Sequence, residues 1–505
     1  MVTNVLEYLE SAAEKYPNKI AFASDSFKGF SDYSENEKDE SLFISYKELV
    51  LRAKAAGSFI SHKFPDVKNR PIFVLIDREV SVIVAFFAVL YSGNFYVPIE
   101  KSLPENRIKM MVDTMNPAAV ITFSEDFDFE LKKIWFSEAV SRKIDGNTLL
   151  NIRNKHVDTN PVYAIFTSGS TGVPKAVLIS HMSVIDLAEQ FTKTFNFSEN
   201  NVFGNQAPFD FDVSTKDIYC TIKNGGTMYI IPKKVIAFPL KMIEFLNKNK
   251  VNTLIWSASA LRIIKSLNVF RVIKPEYLKY VMFSGEVMPN KVLNYWRENL
   301  PDVTYVNLYG PTEITCNCTY FIVDRKFSDN EELPIGKPFE NTDVFLYDDG
   351  EIYVRGSCLA LGYYNNPEKT NEAFIQNPCN NMYYEKVYKT GDLGRYNENH
   401  ELMYCGRKDF QVKCMGHRIE LLEIESAVNA FEFLDFSCCL FQEKKDRLVL
   451  LYQAAEDKNA LIATELSRLL PKYMIPRKMV CYKELPLNKN GKIDRVYLAG
   501  IIDDM

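Results

Sequence analysis

The sequence predicts an α/β protein, with a large N-terminal domain of layered α/β subdomains, a β-rich subdomain after them, and a small α+β domain at the C-terminus. Three observations carry this. From Ile44 onward, strand-like and helix-length apolar stretches alternate, which is the pattern of parallel strands joined by crossover helices. Beyond about residue 340 the texture changes to short β-like runs broken by turns, as in Glu351–Gly356 and Glu401–Gly406. A chain of 505 residues also exceeds what one hydrophobic core organises, so two or three domains are expected.

In chain order, Val5, Leu6, Leu9, Ala12 and Ala13 fall at helical spacing within residues 4–16, and Pro17-Asn18 supplies a stop. Residues 25–40 are polar and charged and read as a surface hairpin or loop insertion without assigned chemistry. Pro71–Ile76 reads as a strand, Val80–Tyr91 as an apolar helix, and Ala118–Phe123 as the next strand. In Tyr163–His181 an apolar run breaks into Thr167-Ser-Gly-Ser-Thr-Gly172 and then resumes, predicting strand, loop and strand. Gly169 and Gly172 let the backbone approach an anion, Thr167, Ser168, Ser170 and Thr171 supply donors, and Lys175 brings a cation. A phosphate grip is one reading and an ordinary polar turn is the other. A Walker-type loop is absent, because Val173-Pro174 separates Gly172 from Lys175 and Ala176 follows.

A helix is expected around residues 184–194. Strands are expected at Thr227–Ile231, Thr253–Trp256 and Tyr280–Phe283, each ending in small or polar residues. Ligands collect at such carboxyl ends of parallel strands. Val303–Tyr309 is another strand, running into Gly310-Pro-Thr-Glu313. A domain boundary is placed near Gly406–Phe410. After it come a helix over 420–431, a strand over 448–452 and the segment Leu485–Arg495.

Composition excludes some partners. With 60 Lys and Arg against 65 Asp and Glu, the formal charge is −5, leaving no general basic field for nucleic acid or anionic lipid. No apolar run reaches membrane-spanning length, and the N-terminus lacks the basic region of a secretory signal. The ten cysteines show no paired zinc-site spacing, which favours reduced thiols and a cytoplasmic location.

Seven motifs in fixed order resemble one family, the adenylate-forming enzymes, and within it the amino-acid-activating adenylation domains of nonribosomal peptide synthesis and the D-alanine:carrier-protein ligases. They are Ser168–Lys175, Asn307–Glu313, Tyr388–Asp392, Gly406–Lys413, Arg418–Glu420, Tyr473–Pro476 and Asn490–Arg495. The resemblance implies a core over 1–406 that binds ATP and an amino acid, a hinge over 407–410 turning at Asp409, and a mobile domain over 411–505. It implies two half-reactions. A carboxylate attacks the α-phosphate of ATP and releases pyrophosphate, and a phosphopantetheine thiol then takes the acyl group. Two anions must meet in the first step, so charge neutralisation and positioning should dominate.

By the same resemblance, the ATP-binding set comprises Thr167, Ser168, Gly169, Ser170, Thr171, Gly172, Lys175, Asn307, Tyr309, Gly310, Thr312, Glu313, Asp392, Arg407 and Lys492. Tyr309 is expected to stack on adenine, Asp392 to accept the ribose hydroxyls, Arg407 to contact the ribose, and Glu313 to hold Mg²⁺. Thr167, Lys175, Glu313 and Lys492 are the expected catalytic groups, with Lys492 bridging the substrate carboxylate and the α-phosphate. Gly416 lies on a loop expected to serve the thiol step. Ala176 and Leu422 stand where glycine is usual in the family.

Asp212 falls where amino-acid-activating members bind the α-ammonium; an N-cap for the following helix is its other reading. Lys216, four residues on, shares a face with Asp212 if the segment is helical, and is expected to pair with an acidic substrate side chain, with Asp212 or with solvent. The other implied pocket residues are Val213, Ile255, Met282, Ser284, Leu308, Cys316 and Asn317. Met282 and Leu308 would fill space and favour a small side chain. D-alanine is a leading candidate, although Ser284 stands where those ligases usually carry cysteine and Lys216 is atypical. Only 13 residues follow Lys492, so the expected acceptor is a separate phosphopantetheinylated carrier protein. The alternatives are an acyl-CoA synthetase, against which Asp212 argues, and a non-catalytic nucleotide-binding homologue.

Overall fold

Helix Val80–Tyr91 is apolar on every side, so it must be buried all round, and only Ser81 reaches partial exposure. It packs on strands Pro71–Ile76 and Phe95–Glu100, whose unbroken apolar runs suit a sheet covered on both faces. The structure, a computed structural model, describes every residue except Met1, 25–42, 124–128, 170–172, Glu432, Asp435, 488–492 and 504–505. The surface insertion expected at 25–40 therefore lies outside the described residues.

The chain forms two compact units. The first comprises Met1–Lys101, Asn116–Ile165 and Val177–Gly406; the second comprises Ser102–Met115, Phe166–Ala176 and Arg407–Met505. The first unit holds a nine-stranded sheet, most of a seven-stranded sheet, and a smaller sheet built from Thr342–Tyr347, Glu351–Gly356, Phe374–Gln376, Lys386–Tyr396 and Leu402–Arg407. In the nine-stranded sheet, Thr304–Tyr309, Tyr280–Ser284, Thr253–Ser257, Val202–Asn205, Thr227–Ile230 and Ile20–Ala23 lie side by side and parallel. Their carboxyl ends consequently gather along one edge, where open α/β sheets bind ligands.

The second unit carries the hairpin Gln411–Cys414/His417–Glu420 and the sheet Phe436–Gln442, Arg447–Gln453 and Lys478–Tyr482, packed with helices Leu421–Asn429 and Asn459–Leu469 over their own apolar core. This is the α/β architecture expected from the sequence. Most expected elements recur with ends moved by a residue or two; the first helix spans Leu6–Lys15, while the helix expected near 184–194 begins earlier, at His181, and runs to Phe195. All ten cysteines are free thiols.

Candidate active site

Sheet periodicity sets part of the site. Ile255 pairs with Met282, and Met282 pairs with Val306, so these three side chains share one face. Ser284 and Leu308 each lie two residues further along their strands and return to that face. Four of the expected pocket residues thus line up by register alone. Ile255, Met282 and Leu308 are buried.

Beyond Tyr309 the chain folds back sharply. A Cβ on Gly310 would meet the Ile314 side chain at 2.6 Å, the Asn317 Cα at 2.7 Å and the Cys316 carbonyl at 2.8 Å, so only glycine permits the approach. A single turn at Thr312–Ile314 then leads into Thr315 (φ 57°) and Cys316 (φ 79°), two non-glycine residues in left-handed conformations. Such strain persists where the surroundings over-determine it. Here Thr315 Oγ1 donates to the Cys358 carbonyl at 2.7 Å and Cys318 N–H to the Tyr309 carbonyl at 2.8 Å. The result is that Asn317 is presented beside Lys216.

Lys216 sits on helix Val213–Asn224 and is fully buried. Its Nζ donates to Asn317 Oδ1 at 2.7 Å and to Ser284 Oγ at 3.3 Å. Of the sequence expectations, pairing with solvent and pairing with Asp212 both fail: burial removes the first, and two neutral oxygens take the place of the second. Asp212, half-buried, occupies the N-cap position of the same helix, yet its side chain makes no capping hydrogen bond. Its backbone carbonyl is taken by Thr215 N–H and Thr215 Oγ1, at 3.0 and 2.6 Å. Val213, half-buried, begins the helix.

A second cluster joins Tyr309 to Asp392. Tyr309 Oη donates to Asp392 Oδ2 at 2.5 Å, and burial, reinforced by that carboxylate, holds the phenol well above its ordinary pKa. Asp392 is buried and its N–H donates to Thr390 Oγ1 at 3.0 Å; the preceding Gly391, at φ 71°, donates its N–H to Glu351 Oε1 at 3.0 Å. Glu313 is fully buried and accepts from Tyr363 Oη at 2.8 Å. Asn307 gives its side-chain amide to the Pro334 carbonyl at 2.8 Å, a structural bond that fixes the strand.

In the second unit, the Gly169 backbone lies against the Val173 carbonyl and leaves no room for a side chain there. Gly169 N–H donates to the Glu423 carboxylate at 3.3 Å and Ser168 Oγ to the Arg418 carbonyl at 2.9 Å. The loop amide therefore holds an anionic oxygen supplied by the protein itself. Glu423 pairs with Arg107, both buried, and burial raises its carboxyl although Arg107 opposes the shift. Lys175 opens the strand Lys175–Ser180. Arg407 grips Asp409 with two nitrogens, at 2.6 and 2.7 Å. Met415 (φ 52°) and Gly416 (φ 84°) form the tight hairpin turn. Ser170, Thr171, Gly172 and Lys492 lie outside the described residues.

Some contributors were invisible in the sequence. Arg78 donates to the backbone carbonyls of Asn205, Gln206, Ala207 and Ile231, pinning the segment that leads to Asp212. Its burial lowers its pKa to about 10. Asp217 is pushed up to about 7 by burial, even though Asn205 donates to it at 2.9 Å and Lys216 and Arg78 stand near. Among the described residues no group of three or more His, Cys, Asp or Glu is placed to hold a metal, and no helix is long and apolar enough to cross a membrane.

The chain belongs to the AMP-binding enzyme family, whose model matches residues 9–364. It is an ATP-dependent, AMP-forming ligase. It is similar to the D-alanine--D-alanyl carrier protein ligase of Bacillus cytotoxicus, 30% identical over 98% of this chain and 99% of that one. The corresponding ligase of Bacillus anthracis is 31% identical with the same coverage. Among solved structures it is similar to the adenylation domain AlmE of Vibrio cholerae in complex with glycyl-adenosine-5'-phosphate, with TM-score 0.81, 19% identity, and 100% of this chain and 98% of that one covered. IdnL1 matches with TM-score 0.81 at 24% identity, over 96% of this chain and 99% of that chain. These two structural likenesses concern the fold.

Proposed function

We propose that this protein is an ATP-dependent amino acid:carrier-protein ligase. The observation that carries the amino acid reading is Asp212: it stands at a helix N-cap but leaves its carboxylate out of capping, so the anion is available to a substrate ammonium. Similarity along the full chain to ligases named for D-alanine and a carrier protein supports the class and makes D-alanine the reference substrate.

In the first half-reaction a carboxylate oxygen of the amino acid bonds to the α-phosphorus of ATP and the bond to the bridging oxygen breaks, releasing pyrophosphate. In the second, the phosphopantetheine thiol of the carrier protein gives up its proton, its sulfur bonds to the acyl carbon, and AMP leaves. Tyr309 and Asp392 are assigned to the adenosine moiety, Thr167–Lys175 to the phosphates, Arg407 to the ribose and Lys492 to the charge that develops between carboxylate and α-phosphate. Glu313 offers a hard carboxylate oxygen oriented by Tyr363, the donor type that Mg²⁺ takes, and is assigned to the magnesium that accompanies ATP. That ion supplies neutralisation of phosphate charge.

The test is amino-acid-dependent ATP–pyrophosphate exchange across L- and D-amino acids, β-alanine and simple carboxylic acids. Exchange with at least one α-amino acid is expected. Exchange with fatty or aryl acids alone would replace this reading with an acyl-CoA synthetase.

A further inference from the structure

Lys216 is a buried ammonium whose hydrogen bonds all go to neutral oxygens. It is fully buried, and its partners are the amide oxygen of Asn317 and the hydroxyl of Ser284. An ammonium has three donors, and two are taken. Among the described residues no carboxylate stands within ion-pair distance of Nζ. Asp217, the next residue in the chain, makes no ion pair with it: one carboxylate oxygen accepts from Asn205, and burial pushes the carboxyl up to about 7 although Lys216 opposes the shift, so it is a weak counter-charge. Burying a charge is costly unless an opposite charge and good hydrogen bonds compensate it, so an ammonium with one donor left over and no ion-paired carboxylate favours an anionic partner from outside.

The surroundings say what that partner is. Ser284 ends one parallel strand and Asn317 follows the turn beyond the next, so Lys216 is held at the carboxyl edge of the sheet where ligands sit. One helical turn earlier on the same helix lies Asp212, its carboxylate free of capping. A cation and an anion one turn apart match a molecule that carries an ammonium and an additional carboxylate a few atoms away.

Resting on the amino acid reading of the site, we propose that the substrate is an amino acid with a carboxylate side chain, of aspartate or glutamate type, whose side-chain oxygen takes the third donor of Lys216. D-alanine would reach Asp212 but leave that donor unfilled. Asn317 and Ser284 position the ammonium; Lys216 reads the side chain.

The experiment is pyrophosphate exchange by the wild-type chain with both enantiomers of alanine, aspartate, glutamate, asparagine and glutamine, repeated for Lys216→Met and Lys216→Gln. The wild type is expected to give at least tenfold higher kcat/KM for an acidic amino acid than for alanine or the matching amide, and both variants to lose about tenfold to a hundredfold of that acid-over-amide preference. A wild type that prefers D-alanine over every acidic amino acid overturns this inference and leaves the amino acid ligase intact. Equal loss by both variants across all substrates overturns it too, since Lys216 would then serve the reacting carboxylate or the fold. No exchange with any amino acid removes the underlying reading itself. The wild-type comparison stands even if neither variant folds.

Discussion

Asp212 is the residue proposed to distinguish an amino acid from a plain carboxylic acid, and its surroundings make that proposal testable at a single side chain. Its neighbour Thr215 satisfies the backbone carbonyl and leaves the carboxylate uninvolved in the helix start. Asp212→Ala should therefore cost the fold little and the substrate much. A substrate ammonium deprived of its partly buried carboxylate loses about 2–5 kcal/mol, roughly thirtyfold to several-thousandfold in kcat/KM for the amino acid. Isothermal titration should still show ATP binding. Unchanged exchange kinetics would strip Asp212 of its assigned role. At this scale the sequence was legible in placing Asp212 at the start of a helix, and ambiguous where neighbours define a residue's partners. Lys216 had three expected partners; only the left-handed turn at Thr315–Cys316, which brings Asn317 to it, removed two of them. No local pattern marks Tyr363 or Arg78 as the residues that orient Glu313 and pin Asn205–Ala207.

At the scale of elements, alternation and periodicity carried the sheets. Ile255, Met282, Ser284 and Leu308 share a face because parallel register and a two-residue repeat leave no other arrangement. Helix ends were less legible, because burial extends an element beyond its strongest local pattern. The buried ion pair Arg107–Glu423 was illegible, since its partners lie 316 residues apart. It joins helix Glu105–Met115 to helix Leu421–Asn429, and Glu423 also accepts from Gly169 N–H. Glu423→Ala strands a buried guanidinium and removes the acceptor of Gly169 at once. A loss of about 3–5 kcal/mol is expected, read as a lower denaturation midpoint and faster hydrogen exchange in the second unit. Arg107→Met combined with Glu423→Leu should recover most of it, because an apolar pair of similar volume needs no compensation. A double variant no more stable than Glu423→Ala would mean that the Gly169 contact, not the ion pair, carries the effect.

Over the whole molecule, the order of motifs along the chain is what identified the chemistry, and no single segment would have done so. The grouping of Ser102–Met115 and Phe166–Ala176 with Arg407–Met505 had no signature in the sequence, because it arises from long-range pairs rather than from composition. The two proposed half-reactions nonetheless make different electrostatic demands, and these can be separated without reference to placement. Adenylation brings a carboxylate against a polyphosphate and requires a cation where the charge develops; thiol transfer starts from an adenylate whose acyl carbon is already activated. Lys492, in Asn490-Gly-Lys492, is assigned to the first demand alone. Lys492→Ala should lower amino-acid-dependent pyrophosphate exchange by about 10²–10³-fold, the usual cost of removing one preorganised stabilising group. Transfer from chemically supplied aminoacyl adenylate to the phosphopantetheinylated carrier, followed by mass spectrometry, should change by no more than a few-fold. Parallel loss of both steps would make Lys492 a determinant of folding or nucleotide binding and would leave the adenylation step without its assigned cation.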